Sequence, residues 1–253
     1  MLTPIGFSLL RQLSDGAFHS GEDLAAKVGL TRARVSQVLK QAETAGLALE
    51  RIRGRGYRLV AAPDFLDANE VRKALVEFGA KVAKPGAITP KPAPIVEDDL
   101  GINAVERPTG DYTPPALQVE LVDQLDSTST ELLRRSQRRD IHGAVLAAEW
   151  QTAGRGRRGR TWTAVAGGSL TFSLGWRFEQ GAGFLAGLSL AIGVAVARAL
   201  EKEGYDGVEL KWPNDLIYRH HKLGGVRVEL NGDALGPSTV VVGVGLNVRL
   251  PRE

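Results

Sequence analysis

The chain has 253 residues, 43% of them hydrophobic, a formal net charge of +3 and no cysteine. That hydrophobic content excludes a disordered chain, and the absence of thiols excludes a disulfide framework, a cysteine-ligated zinc or iron–sulfur site and a thiol nucleophile. No basic segment followed by an apolar run opens the chain, so no signal peptide is expected. The longest apolar run, Phe184–Ala197, is broken by Gly187, Ser189 and Gly193. It falls short of the roughly 20 residues that span a bilayer. A buried core helix, a cytoplasmic chain and no membrane partner are the expectations.

Residues 1–63 carry more basic than acidic side chains and read as helices followed by a short hairpin. Ser20-Gly21-Glu22-Asp23 is a capping box, Leu24, Ala25 and Val28 form an apolar face, and Gly29 is a left-handed stop. Thr31 caps a second helix, which buries Val35, Val38, Leu39 and Ala42 at helical spacing and ends at Gly46. Two short helices joined through a glycine turn make a helix-turn-helix. The strands Leu49–Ile52 and Tyr57–Val60 flank Arg53-Gly54-Arg55-Gly56, a basic tip that completes an N-terminal winged helix-turn-helix. Thr31, Arg32, Arg34, Gln37, Lys40, Arg53 and Arg55 are the expected DNA contacts, through bases and phosphates. The same helices would also serve a protein-interaction domain; the basic wing favours DNA.

Residues 64–118 read as a short helix, capped around Asp67-Ala68-Asn69-Glu70 with Val71, Leu75 and Phe78 on one face, and then a linker. Pro85, Pro90, Pro92, Pro94, Pro108, Pro114 and Pro115 crowd that linker, each fixing φ and removing a donor. Residues 119–253 read as α+β. Strands are expected at Val119–Leu125, Ala144–Trp150, Ser169–Trp176, Val208–Trp212, Lys222–Leu230 and Thr239–Val248, with helices at Ser129–Arg138 and Phe184–Glu203. Helix and strand do not alternate regularly, so a mixed or antiparallel sheet with helices on one side is expected.

Five motifs lie in this second half. Gly154-Arg155-Gly156-Arg157-Arg158-Gly159-Arg160 alternates glycines, which admit close backbone approach, with arginines matched to phosphate and carboxylate. Its flanks set it between strands rather than in a tail, and it is expected to be mobile until an anion orders it. Lys211-Trp212-Pro213-Asn214-Asp215-Leu216 places Asn214 and Asp215 at a turn able to meet ribose hydroxyls or magnesium; it also fits an ordinary β-turn. Lys222-Leu223-Gly224-Gly225-Val226 offers an ammonium between a carboxylate and a phosphate, or a plain surface lysine. In Gly243-Val244-Gly245-Leu246-Asn247 the glycines suggest a bulge or a backbone–ligand contact, and Asn247 can reach an adenine or ribose. Asp126-Ser127-Thr128-Ser129-Thr130 suits a polar ligand group or a simple helix cap. His19, His142, His220 and His221 read as ordinary surface or cap residues.

Taken in this order, the motifs resemble the biotin protein ligase family, in its bifunctional ligase–repressor form with an N-terminal winged helix. The resemblance covers residues 1–78 and 119–253 and is carried by GRGRRGR together with KWPNDL. It implies a class II synthetase-like sheet over 119–253 that condenses biotin with ATP, using Mg2+ and no tightly bound cofactor. Biotin would then pass to a lysine of the biotin carboxyl carrier protein of acetyl-CoA carboxylase. Ser127, Thr128, Ser129, Gln151, Arg155, Gly156, Arg157 and Lys222 match biotin positions. Arg158, Arg160, Trp162, Asn214, Asp215 and Asn247 match positions near the nucleotide, with Asp215 the magnesium candidate and Lys222 and Arg157 the catalytic pair. The resemblance also implies an adenylate-bound homodimer that represses through operator DNA.

Three departures accompany it. Ser129 stands where the family has Asn, the linker is long, and Pro251-Arg252-Glu253 follows the glycine strand where the family continues into further helices and a small β-barrel. The last favours an alternative, a non-catalytic repressor that senses biotin or its adenylate. A lipoate ligase relative is the third reading, and the Arg-Gly loop argues against it.

Overall fold

The computed structural model describes residues 2–44, 47–61, 63–84, 115–179, 181–232 and 237–249. Its first unit packs α1 (Pro4–Gln12), α2 (Gly21–Val28) and α3 (Arg32–Thr44) beside an antiparallel hairpin of β1 (Leu49–Ile52) and β2 (Gly56–Leu59). The caps fall where their residues set them. Ser20 Oγ accepts the Asp23 N–H at 3.0 Å, and Thr31 Oγ1 accepts the Arg34 N–H at 3.3 Å. Gly29 closes α2 at φ 64°, which turns the Leu30 N–H back to the Ala25 carbonyl at 2.9 Å. Val35, Val38, Leu39 and Ala42 are buried in one core with Phe7, Leu10, Leu24 and Leu59. At the start of β2, a Cβ on Gly56 would lie 1.9 Å from the His19 carbonyl oxygen, so only glycine lets the hairpin come close enough for the His19–Tyr57 bridge. Gly46 lies outside the described residues.

Asp67 caps α4 (Ala68–Glu77), accepting the Asn69 and Glu70 N–H groups at 2.7 and 3.0 Å. The apolar face expected on it is not a buried one: Phe78, at its end, is 73% exposed and none of its residues is fully buried. Instead, Arg72 anchors the helix by donating to the Val119 carbonyl at 2.9 Å. Of the expected linker, residues 85–114 lie outside the described residues; its two flanks meet in a parallel bridge between Val82 and Leu117.

The larger unit is a seven-stranded sheet. Its strands are β3 (Gln118–Leu125), β4 (Ala144–Gln151), β5 (Ser169–Phe178), β6 (Val208–Lys211), β7 (Asp215–Tyr218), β8 (His221–Gly232) and β9 (Ser238–Asn247), in the order β3-β4-β5-β9-β8-β7-β6. Only the β3–β4 pair is parallel, so the sheet is mixed, as expected. The two helices, α5 (Thr128–Ser136) and α6 (Leu188–Lys202), do not share a side. Val240, Val242, Val244 and Leu246 of β9 cluster with Ile192 and Val196 of α6, whereas Val241 clusters with Leu132 of α5. Strand alternation puts these sets on opposite faces. The unbroken valine run in β9 is the physical reason, since both of its faces are covered.

Two further boundaries differ. Gly187, at φ 88°, restarts the chain, so α6 begins at Leu188 after a 3-10 turn over Ala182–Leu185. One stripe of α6, including Leu188, Ile192, Val196 and Leu200, packs on the sheet, but Leu190 is 41% exposed, so the helix is amphipathic rather than buried all round. Among the described residues no helix is long and apolar enough to cross a membrane. The single strand expected at Val208–Trp212 is the first arm of a hairpin completed by β7.

The head and the sheet touch. Ala166 is buried in the head's core and Trp150 packs against it. Arg11 reaches Asp123 Oδ1 at 2.7 Å, and the buried Glu149 accepts the Leu66 N–H at 2.5 Å. Burial pushes the Glu149 carboxyl above its ordinary 4.5, against the opposing pull of the Leu66 N–H and Arg11. The folded state therefore binds this proton more tightly than the unfolded one, and stability falls as pH rises through the window above 4.5. Glu149→Gln keeps an oxygen for Leu66 and removes the charge. Thermal melts across that window are expected to give the variant a flatter profile, with its advantage greatest at the alkaline end; parallel profiles would contradict this.

Candidate active site

The Arg-Gly loop leaves the end of β4 and closes on itself. The Trp162 N–H donates to the Gly154 carbonyl at 2.9 Å, and the Gly156 N–H to the Arg160 carbonyl at 2.7 Å. A Cβ on Gly154 would sit 2.3 Å from the Trp162 carbonyl oxygen, so this glycine serves the loop's own closure. Arg158 and Gly159 reverse the chain at φ 54° and 75°. The loop covers a cleft of about 420 Å³ on the α5 face of the sheet.

One wall is the start of α5. The Thr128 N–H donates to Gln151 Oε1 at 2.7 Å, Thr128 Oγ1 lies 2.7 Å from Ser173 Oγ, and Ser129 Oγ lies 3.0 Å from the same oxygen. All four side chains are buried. Ser129 thus uses its short reach on a sheet hydroxyl. Ser127 Oγ caps the Thr130 N–H at 3.4 Å. Asp126, the first residue of that motif, serves the helix: its carboxyl is held below its ordinary value chiefly by the Arg134 side-chain hydrogen bond.

The floor is β9. Gly243 and Gly245 make no bulge; they pair in unbroken register with Ser173 and Thr171. They clear space instead. A Cβ on Gly243 would lie 2.6 Å from Ser129 Oγ, and one on Gly245 would lie 2.5 Å from the Trp162 ring. Trp162 therefore lies against the sheet, its Nε1–H donating to Thr171 Oγ1 at 3.3 Å.

The far wall is the β6–β7 turn, with a cis Trp212–Pro213 bond and Trp212 81% exposed. Asn214 Oδ1 accepts from Arg157 Nη1 at 3.2 Å, and Asn214 Nδ2 donates to Asp215 Oδ1 at 3.2 Å. Lys222 Nζ lies 2.8 Å from the same Asp215 oxygen. Asp215 is not in the turn; it opens β7 opposite Gly225. Among the described residues no cluster of three or more His, Asp or Glu could hold a metal. Asp215 is the carboxylate of the cleft, and its Oδ1 is taken by Lys222 and Asn214.

The cleft gathers Ser127, Thr128, Ser129, Gln151, Arg155, Gly156, Arg157, Arg158, Arg160, Trp162, Asn214, Asp215 and Lys222. Asn247 is the exception: it does not line the cleft, and its Nδ2 donates to the Lys222 carbonyl at 3.5 Å. The expected DNA contacts all lie on the head. Arg32 is paired with Glu22 at 2.9 Å, Arg34 donates to Gln37 at 2.5 Å, and Arg55 stacks 4.3 Å from the Phe18 ring centre. Lys211 joins the lining as part of its motif, without a role assigned from sequence, and Thr171, Ser173 and Arg227 are additions of the structure. Gly225, Arg227 and Glu229 alternate along β8 and share the cleft face, which was the available signal.

A profile of the biotin/lipoate A/B protein ligase family matches residues 121–247, the stretch that contains every wall of this cleft. The chain belongs to this family. It is 34% identical over 251 residues to the bifunctional ligase/repressor BirA of Salmonella typhimurium, covering 99% of this chain and 66% of that protein. The corresponding protein of Escherichia coli K12 is 32% identical over 248 residues, covering 98% of this chain and 65% of that one. The biotin–[acetyl-CoA-carboxylase] ligase of Mycobacterium tuberculosis is 42% identical over 145 residues, 54% of this chain and 52% of that one. This member of the family thus spans just under two thirds of the length of its ligase/repressor relatives.

Proposed function

We propose that the cleft joins biotin to ATP as biotinyl-5′-adenylate and passes biotin to a lysine of the carrier protein of acetyl-CoA carboxylase. The observation that carries this is the meeting of Arg157, Lys222 and the Arg-Gly loop over a buried hydroxyl–amide wall. A biotin carboxylate oxygen attacks the α-phosphorus and the bond to pyrophosphate breaks. This needs no protein nucleophile, only two anions held in line with their charge neutralised. Thr128, Ser129 and Gln151 suit the neutral polar ring, and Asp215 would hold a magnesium ion brought by ATP, which would offset the phosphate charge. In the second step the lysine amine attacks the acyl carbon and AMP leaves. The relatives' names, bifunctional ligase/repressor and biotin–[acetyl-CoA-carboxylase] ligase, favour biotin over lipoate.

Arg157→Ala tests the loop's part. Losing a hydrogen bond to a charged group costs about 1.5–3 kcal/mol, so biotin and adenylate affinities should fall about ten- to a hundred-fold. Arg157 is exposed, so melting should hardly move. Unchanged affinities by calorimetry would remove the loop from the site.

A second reading concerns the head. Three helices, a bridge from His19 to the hairpin and Arg55 on Phe18 support a winged helix that binds operator DNA; an adenylate-bound dimer rests on the resemblance alone. Duplex binding should weaken steeply with salt, since phosphate contacts release counterions. A chain that binds biotin and DNA but biotinylates no carrier would be the sensor without turnover.

A further inference from the structure

Arg227 and Glu229 stand two residues apart on β8, and the adenylation chemistry proposed above assigns neither a role. Both side chains are mostly buried, at 19% and 16% exposure. The Arg227 Nη1–H donates to the Gly156 carbonyl at the centre of the Arg-Gly loop, and Nη2 lies 2.7 Å from Glu229 Oε1. The same Glu229 oxygen takes Arg155 Nη1 at 3.4 Å. Two guanidiniums thus converge on one carboxylate oxygen, one from the sheet and one from the loop.

We propose that Arg227 and Glu229 are positioning residues that clasp the Arg-Gly loop to β8 in the ligand-free chain. This rests on the reading of the cleft as the biotin site. Four arginines within one short loop repel one another, and a glycine-rich backbone offers little resistance to opening. The clasp opposes both. Arg227 fixes the loop backbone at the Gly156 carbonyl. Glu229 sits between Arg227 and Arg155 and offsets their repulsion, which without it would set two like charges side by side. In that arrangement Arg155 is held at the rim with its direction set, so part of the ordering that binding requires is already made. The clasp leaves two groups unmet: Arg227 Nε and Glu229 Oε2 are buried and without a partner among the described residues. A ligand group or water that met them would complete it.

The test is limited trypsin digestion of the ligand-free full chain, with cleavage after Arg155, Arg157, Arg158 and Arg160 followed by mass spectrometry. Biotin calorimetry on the same samples runs beside it. Cleavage of a transiently opened segment follows its open population. Arg227→Met and Glu229→Gln are expected to speed loop cleavage and weaken biotin binding about ten-fold each, the equivalent of about 1.4 kcal/mol. Arg227→Lys, which keeps the charge but loses the fork that reaches two acceptors at once, should fall between them and the parent. Cleavage elsewhere and the melting temperature should change little, which separates a clasp from a fold defect. Loop cleavage at the parent rate in both variants would overturn the clasp. A parent chain that bound no biotin would overturn the ligand assignment instead, and the ligand-free cleavage rates would still decide the clasp.

Discussion

Lys222→Ala is expected to slow formation of the biotinyl adenylate about 10²- to 10³-fold, the cost of removing one preorganised charge from a developing anion. Lys222 Nζ lies 2.8 Å from Asp215 Oδ1 at the edge of the cleft. Truncation removes the cation and leaves the carboxylate facing the substrate phosphates. Both changes act against the reaction. The fold should tolerate the change, because a pair in which Lys222 is 47% exposed contributes at most about 1 kcal/mol. Lys222→Arg keeps the charge but moves its centre, so it should recover only part of the rate. A pyrophosphate-release assay under saturating biotin and ATP measures this. A rate within a few-fold of the parent would make Lys222 the surface lysine that its sequence also permits.

Gly245→Ala should have the second largest effect, through Trp162. The new Cβ would lie 2.5 Å from two ring atoms, far inside contact distance, so the indole must lift from the sheet and give up Thr171. Overpacking of this kind costs about 1–3 kcal/mol. The displaced Trp162 also holds the end of the Arg-Gly loop through its N–H to the Gly154 carbonyl. Nucleotide and biotin affinity should therefore fall about ten-fold or more, alongside the lower melting temperature. Gly243→Ala is the control. Its Cβ meets Ser129 Oγ, a hydroxyl that can rotate away, so its effect should be the smaller. Equal effects of the two substitutions would mean that neither glycine acts through the side chain above it.

Most of the cleft was legible because its chemistry is written in contiguous runs. GRGRRGR, KWPNDL and the Ser-Thr start of α5 each enter the lining whole or nearly whole. The caps of α2, α3 and α4 were legible for the same reason, since a cap is a local contract between neighbours. What escaped depends on distant pairing. β7 was missed because its hairpin turns on Arg219 and His220, both left-handed at φ 50° and 66°, with no Asn-Gly or Asp-Gly to announce it. The two-sided cover of the sheet was missed because α5 and α6 read alike as helices and only the register of β9 assigns them to opposite faces. Asn247 was drawn to the site by its place after the glycines, yet it sits at the strand's end, on the Lys222 carbonyl. The glycines of β9 suggest a bulge or a backbone–ligand contact; the unbroken register removes the bulge, and both glycines line the cleft while making room for Ser129 and Trp162.

One measurement bears on the whole account. The purified chain is incubated with biotin, ATP and magnesium, and the protein-bound products are extracted and weighed by mass spectrometry, with lipoate in place of biotin as the parallel sample. The expected result is biotinyl-5′-adenylate retained by the chain with pyrophosphate released, formation about 10²- to 10³-fold slower with Lys222→Ala, and no lipoyl adenylate. A parent chain that binds neither biotin nor its adenylate, or that adenylates lipoate as readily, would contradict it.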